Sequence, residues 1–334
     1  MLGFLGRKDR IICPRCLSEV RVDTRNPKDT KCNCDYVIPQ LYVREYGVAL
    51  PVYIQMFGWS QSGKSTWLDV LRLHLYGITK IWSDSYVEAV AQIDIDHKQI
   101  LRTERVKGLM PGATPKKTRD QNEVYLNLLK SGQRWSSRLI VIMDHAGESF
   151  ERLDVPVKEI PFLLGTPTTI MLICLPDMEM TGKTFFEVVQ IYVRALENYG
   201  VNFKKAGRRL VIVFSKADMI INLPINLREY LETDELAPIL MPKSDSENTH
   251  FSFTGMALVD YLERMGRFSE AIREWVSTSV EDGQAGLLKL KEKNIDTRFV
   301  IMSSIGQTAG AGELRPGRVL DPFFWALEFQ SREK

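Results

Sequence analysis

Six apolar runs rich in β-branched residues recur along the chain, at 52–57, 123–129, 138–143, 168–174, 209–214 and 298–302. Helical stretches alternate with them, the clearest being Thr66 to Tyr76 and Thr254 to Ser279. Such alternation predicts an α/β fold, a mainly parallel, doubly wound sheet with right-handed crossovers. About eighty residues separate Asp218 from Arg298, long for one crossover. An insertion is therefore expected at about 219–296, able to contact a partner but more plainly a helical cover for the sheet. Cys174, inside the run IMLICL, reads as core packing.

The pattern changes before residue 47. Four of the five cysteines crowd into Cys13-Pro-Arg-Cys16 and Cys32-Asn-Cys34, two knuckles with fifteen residues between them. This is close to the spacing of tetrahedral zinc sites, with a second knuckle one residue short. A segment of this size buries too little apolar surface to fold without a staple. Residues 1–46 are thus expected to form a structural zinc ribbon on Cys13, Cys16, Cys32 and Cys34, and 47–334 the main domain. Two disulfides or free thiols are the alternative; four thiolates would leave no open position for catalysis.

The first buried run, PVYIQMF, leads into Gly58-Trp59-Ser60-Gln61-Ser62-Gly63-Lys64-Ser65, which matches G-x-x-x-x-G-K-[ST] at every fixed position. In a strand–loop–helix setting this is a phosphate-binding loop. Its backbone N–H groups and the helix N-terminus, from Thr66 onward, face phosphate oxygens. Lys64 is expected on the β- and γ-phosphates and Ser65 on Mg2+.

Two further motifs draw weight from position alone. The run 138–143 ends in Asp144-His145-Ala146-Gly147-Glu148. A D-x-x-G tetrapeptide is expected about once by chance in a chain this long, but here it follows a strand downstream of the phosphate loop. Asp144 can hold Mg2+ through water and the Gly147 amide can sense the γ-phosphate. Between the two lies GLMPGATPKKT, where Thr118, or else Thr114, can deliver a hydroxyl to Mg2+ from a switch loop; a plain surface turn is the alternative.

The run 209–214 ends in Ser215-Lys216-Ala217-Asp218, at the strand end where doubly wound sheets bind ligands. The Asp218 carboxylate can accept from the N1–H and exocyclic amine of guanine, a donor pair that adenine lacks, with Lys216 along the base or ribose. After the last run, Ser303-Ser304-Ile305-Gly306 offers backbone amides to the guanine carbonyl oxygen.

Composition removes some partners. The 44 basic and 42 acidic side chains leave a net charge of +2, so nothing indicates bulk attraction to nucleic acid or anionic membrane. Met1 to Gly6 is too short an apolar run for a secretory signal, and no run approaches the roughly 20 residues of a membrane span. Clustered cysteines suit a reducing compartment, so a soluble, cytoplasmic protein is expected.

The ordered set GWSQSGKS, DHAGE, FSKAD and SSIG resembles the TRAFAC class of GTPases, the Ras-like and translation-factor group, from about Val52 onward. With the cysteine ribbon, the GATPKKT loop and the terminal DPFFWAL, it looks like the bacterial zinc-ribbon-bearing double-GTPase group linked to conflict and antiviral defence. The resemblance implies GTP/GDP, Mg2+ and Zn2+ as cofactors and an unidentified protein effector or activator. Two departures stand out. Ser215 replaces the asparagine that braces the phosphate loop, implying a weaker brace. Glu148 replaces the glutamine that orients water, and a carboxylate there repels the γ-phosphate, so intrinsic hydrolysis is expected below about one turnover per second. His145 either positions water or is a structural histidine. Two other functions compete: an ATP-using P-loop enzyme, and a non-hydrolysing nucleotide-binding scaffold or zinc-ribbon interaction protein.

Overall fold

The computed structural model describes residues 9–59, 62–91, 123–131, 135–144, 161–165, 168–203, 207–240, 258–306 and 315–331. All six predicted strands form. In chain order the strands are β1 (Arg10–Ile12), β2 (Glu19–Arg21), β3 (Thr30–Lys31), β4 (Val37–Ile38), β5 (Leu50–Phe57), β6 (Ser85–Ala89), β7 (Glu123–Ser131), β8 (Arg138–Asp144), β9 (Thr168–Ile173), β10 (Arg209–Phe214) and β11 (Asp296–Ile301). The helices are α1 (Gln40–Glu45), α2 (Lys64–Tyr76), α3 (Pro161–Gly165), α4 (Leu175–Thr181), α5 (Phe185–Asn198), α6 (Ile225–Glu232), α7 (Ala237–Leu240), α8 (Leu258–Ser279), α9 (Gly283–Glu292) and α10 (Asp321–Ser331).

Among the described residues the main sheet has seven strands in the order β11-β10-β9-β5-β8-β7-β6. The five from β11 to β8 run parallel, and β7 and β6 are antiparallel to their neighbours. The register sets Met56 beside Asp144, Phe57 beside Met171, Ile173 beside Phe214 and Phe214 beside Ile301. The C-terminal ends of the parallel strands therefore finish on one edge, and β5, with β8 on one side and β9 on the other, occupies the switch point where doubly wound sheets bind ligands.

Period-two side chains divide the core. Val52, Ile54 and Met56 of β5 face α2 and α10, while Phe57, Met171 and Ile212 lie with α5, α6 and α9 on the opposite face. Helix α8 joins both: Tyr261 and Met265 lie in the first core, Ile272 and Trp275 in the second. Where it passes the edge strand β11, the Phe299 N–H donates to Ser269 Oγ at 2.9 Å. Helix α8 thus covers the sheet margin. That helix begins at Leu258 among the described residues, and residues 254–257 of its expected start lie outside them.

The N-terminal segment packs on the β7–β8 half of the sheet. Ile11, Ile38, Tyr42 and Val43 share a third core with Val124, Leu126, Leu139 and Val141. Glu45 of α1 accepts from Lys130 of β7 at 2.6 Å, which holds its carboxyl below the usual range. Each cysteine knuckle spans a short hairpin, β1–β2 or β3–β4, and each closes on a residue in the left-handed region, Leu17 (φ 58°) and Asp35 (φ 63°). Leu17 also packs on α3, so tightly that a Cβ on Gly165 would lie 2.6 Å from its Cδ1.

Candidate nucleotide site and metal centre

The phosphate loop follows from its glycines. Gly63 sits at φ 84° as the N-cap of α2, a conformation that favours glycine, and at Gly58 a Cβ would lie 2.7 Å from Ser62 Oγ and 2.9 Å from the Leu172 carbonyl oxygen. No side chain caps α2 and its first turn carries no acidic residue, so the positive end of the helix is left for an anion. The Lys64 ammonium donates to the Gly58 carbonyl and, at 3.1 Å, to that of Trp59, which anchors its charge at the mouth of the loop. Ser65 is exposed and Thr66 half-buried on the first turn. Ser60 and Gln61 lie outside the described residues. Trp59 packs edge-on against Phe57 with centroids 5.1 Å apart, and Lys183 Nζ lies 4.8 Å from its ring centre.

Asp144 ends β8 beside the last turn of β5. Its Oδ1 is buried and has no hydrogen-bond partner among the described residues. Burial pushes its pKa up to about 6, and the nearby Lys64 charge pulls it part of the way back. An orphaned carboxylate oxygen beside a phosphate-binding loop fits a hydrated divalent cation. Ser65 and Asp144 would hold Mg2+, whose chemistry is to neutralise phosphate charge. The switch candidates Thr114, Thr118, His145, Gly147 and Glu148 lie outside the described residues.

The Ser215 brace is not weakened by reach. Ser215 Oγ donates to the Ser62 carbonyl at 2.7 Å and lies 3.3 Å from that of Ile173, with both serines buried. The backbones come close enough that a hydroxymethyl spans the gap. Lys216 adopts φ 51°, a conformation rare for a residue with a Cβ, and its Nζ pairs with Asp177 Oδ2 at 3.1 Å. Asp218 follows, half-buried, in a single 3-10 turn, Ala217–Met219. The Ala217 N–H donates to the Met302 carbonyl at 3.0 Å, which ties this turn to the end of β11.

One part of the base-binding expectation needs correction. The Ser303 amide donates to the Gly317 carbonyl at 3.0 Å, and the Gly306 amide to Ser303 Oγ at 2.9 Å. Both donors are spent inside the protein. Among the described residues the amides of Ser304 and Ile305 make no such bond.

In the ribbon, the four cysteine sulfurs lie within 4.8 Å of one another, with Cys13–Cys34 at 3.8 Å and Cys16–Cys32 at 3.6 Å. Tetrahedral zinc with bonds of about 2.3 Å requires sulfurs about 3.8 Å apart, whereas a disulfide requires about 2.05 Å. All four thiols are free. The donor set fits a structural zinc ion, and the short second knuckle does not prevent convergence. Cys174 is buried just beyond β9, its thiol pushed up to about 11 by that burial.

Sequence reasoning passed over Asp177 and the segment 315–318. Asp177 was findable, since it follows a buried strand on the same sheet edge as the other motifs. The arginines and glycine of 315–318 look like an ordinary polar loop.

The strand order and the loop at the switch point fit a P-loop GTPase fold, and the cysteine cluster is compatible with a zinc ribbon. No protein-family model matches the chain, and no curated protein matches it. Among solved structures it is similar to the signal recognition particle receptor SRb of Chaetomium thermophilum in an SRb-GTP/SRX complex, at 12% identity over 85% of this chain and 99% of that one, TM-score 0.39. The SRb-GDP structure from the same organism gives 11% identity, 84% and 99% coverage and TM-score 0.33. Among the described residues no helix is long and apolar enough to cross a membrane.

Proposed function

We propose that this chain is a cytoplasmic guanine-nucleotide switch with slow, partner-stimulated GTP hydrolysis. The observation that carries the reading is the Ser215–Ser62 hydrogen bond of 2.7 Å. It fastens the segment bearing Asp218 directly to the phosphate loop, across the intervening strand β9, so that base and phosphate recognition form one unit. In this reading Lys64 and the loop amides hold the phosphates, Asp218 reads the guanine N1–H and amine, and Ser304 and Ile305 meet its carbonyl oxygen. Half-buried Asp144, with its Oδ1 buried, supplies charge for Mg2+. Slow turnover rests on Glu148, and the placement in the zinc-ribbon double-GTPase group with a defence role rests on sequence motifs alone.

The test is displacement of fluorescent GDP by GTP and by ATP, in wild type, Asp218→Asn and Lys64→Ala. GTP displacing far better than ATP, with that preference lost in Asp218→Asn, supports the proposal. Equal competition by ATP overturns base recognition and favours an ATP-using enzyme or a structural nucleotide binder.

A further inference from the structure

A buried arginine lies behind the base-reading loop. Residues 315–317 run antiparallel to 303–305: Ser303 and Gly317 exchange N–H···O bonds of 3.0 and 2.8 Å, and the Arg315 amide donates to the Ile305 carbonyl at 2.8 Å. The next residue, Arg318, is fully buried and held at φ 58°. Its guanidinium donates to the carbonyls of Tyr230 (2.8 Å) and Thr233 (2.9 Å) and stacks 3.8 Å from the Tyr230 ring centre. Its own amide donates to the Asp234 carboxylate. Glu235 Oε2 lies 3.5 Å from the Arg318 Nη1, and Asp321, also buried, accepts from the hydroxyls of Tyr230 and Tyr261.

Both carbonyls that the Arg318 guanidinium meets therefore lie on α6 or the turn after it, while its own carbonyl accepts from the Asp321 amide at 3.3 Å. The same helix reaches the other base-reading segment through Arg228, whose guanidinium donates to the carbonyls of Ile220 (3.3 Å) and Ile221 (3.1 Å), just past Asp218. A planar, multidentate side chain suits a rigid link of this kind, whereas a single ammonium does not.

We infer that α6 is the frame that sets the spacing between the two halves of the base site, and that Arg318 is a positioning residue for the half that meets the guanine carbonyl oxygen. This rests on the guanine-nucleotide reading above. A general stabilising role for Arg318 would weaken all nucleotides alike; a positioning role weakens only those that carry the carbonyl oxygen.

The experiment compares three diphosphates on wild type and Arg318→Lys: GDP, inosine diphosphate, which lacks the exocyclic amine, and 2-aminopurine riboside diphosphate, which lacks the carbonyl oxygen and with it the N1–H, a second loss that is the same for both proteins because Asp218 is untouched. Wild type should prefer GDP over both. In Arg318→Lys, GDP affinity should fall about five- to tenfold, the worth of one neutral hydrogen bond, with 2-aminopurine nucleotide affinity unchanged. The preference for GDP over inosine diphosphate should persist, because Asp218 is untouched. Gly317→Ala provides a second variant if Arg318→Lys does not fold, since its Cβ would meet the Leu231 carbonyl oxygen at 2.7 Å and displace the same segment. Equal losses for GDP and the 2-aminopurine nucleotide overturn the inference. Absence of any guanine preference in wild type overturns the guanine reading itself, and the inference with it.

Discussion

Replacing Ser215 with alanine removes one oxygen and nothing else from the centre of the site. Ser215 and Ser62 are 2% and 4% exposed, so water does not readily replace the 2.7 Å bond that is lost. A buried acceptor stripped of its partner costs about 1–3 kcal/mol. That carbonyl belongs to the phosphate loop, so the cost falls on the loop conformation that receives nucleotide, and affinity should drop roughly five- to 150-fold. Ser215→Asn should not restore it, because a longer side chain must enter a space where the hydroxyl already touches two carbonyls. The assay is GDP titration at matched protein folding, followed by circular dichroism. If Ser215→Ala binds GDP within twofold of wild type, the hydrogen bond does not couple the two halves of the site and the reasoning fails.

Other consequences follow from the same geometry. Gly58→Ala, with its Cβ pressed on Ser62 Oγ and the Leu172 backbone, should fold yet lose at least about fivefold in nucleotide affinity, as overpacking usually costs 1–3 kcal/mol; unchanged affinity in calorimetry would contradict it. The purified protein should carry one zinc, and chelation should speed amide hydrogen exchange in β7, because ribbon residues share a core with that strand. Exchange confined to residues 9–46 would show the two parts to be independent. Asp321 has its pKa raised from 3.8 to about 6, chiefly by burial. The folded state therefore holds a proton that the unfolded chain releases between these values, and this contribution to stability, full below about pH 4, is lost as pH rises through 6. Melting curves from pH 4 to 7 should show that relative loss in wild type and a flatter profile in Asp321→Asn; parallel profiles would refute it.

The sheet was legible wherever strands are buried on both faces, since runs such as RLIVIM and RLVIVF have no polar alternative. Strand β6 was not, because its buried positions are Ser85, Val87 and Ala89, with Tyr86 and Glu88 outward, which gives almost no apolar contrast. Cysteine spacing foretold the convergence of the sulfurs, yet nothing in it says that the ribbon lies against β7 and β8. That Ser215 reaches the phosphate-loop carbonyl was not legible, because side-chain length is readable in a sequence and backbone separation is not. Arg318 was invisible for a related reason: an arginine beside Gly317 and Pro316 reads as solvated, and only the fold supplies the carbonyls, carboxylates and ring that let it be buried.

The shared core beneath the cysteine knuckles changes what the metal does for the whole molecule. A ribbon joined by a linker could lose its ion and dangle while the nucleotide domain worked on. Here Val124, Leu126, Leu139 and Val141 would face water as a contiguous greasy surface on the β7–β8 half of the sheet. Metal loss would then expose a sticky face on the sheet itself and make unloaded copies prone to aggregation.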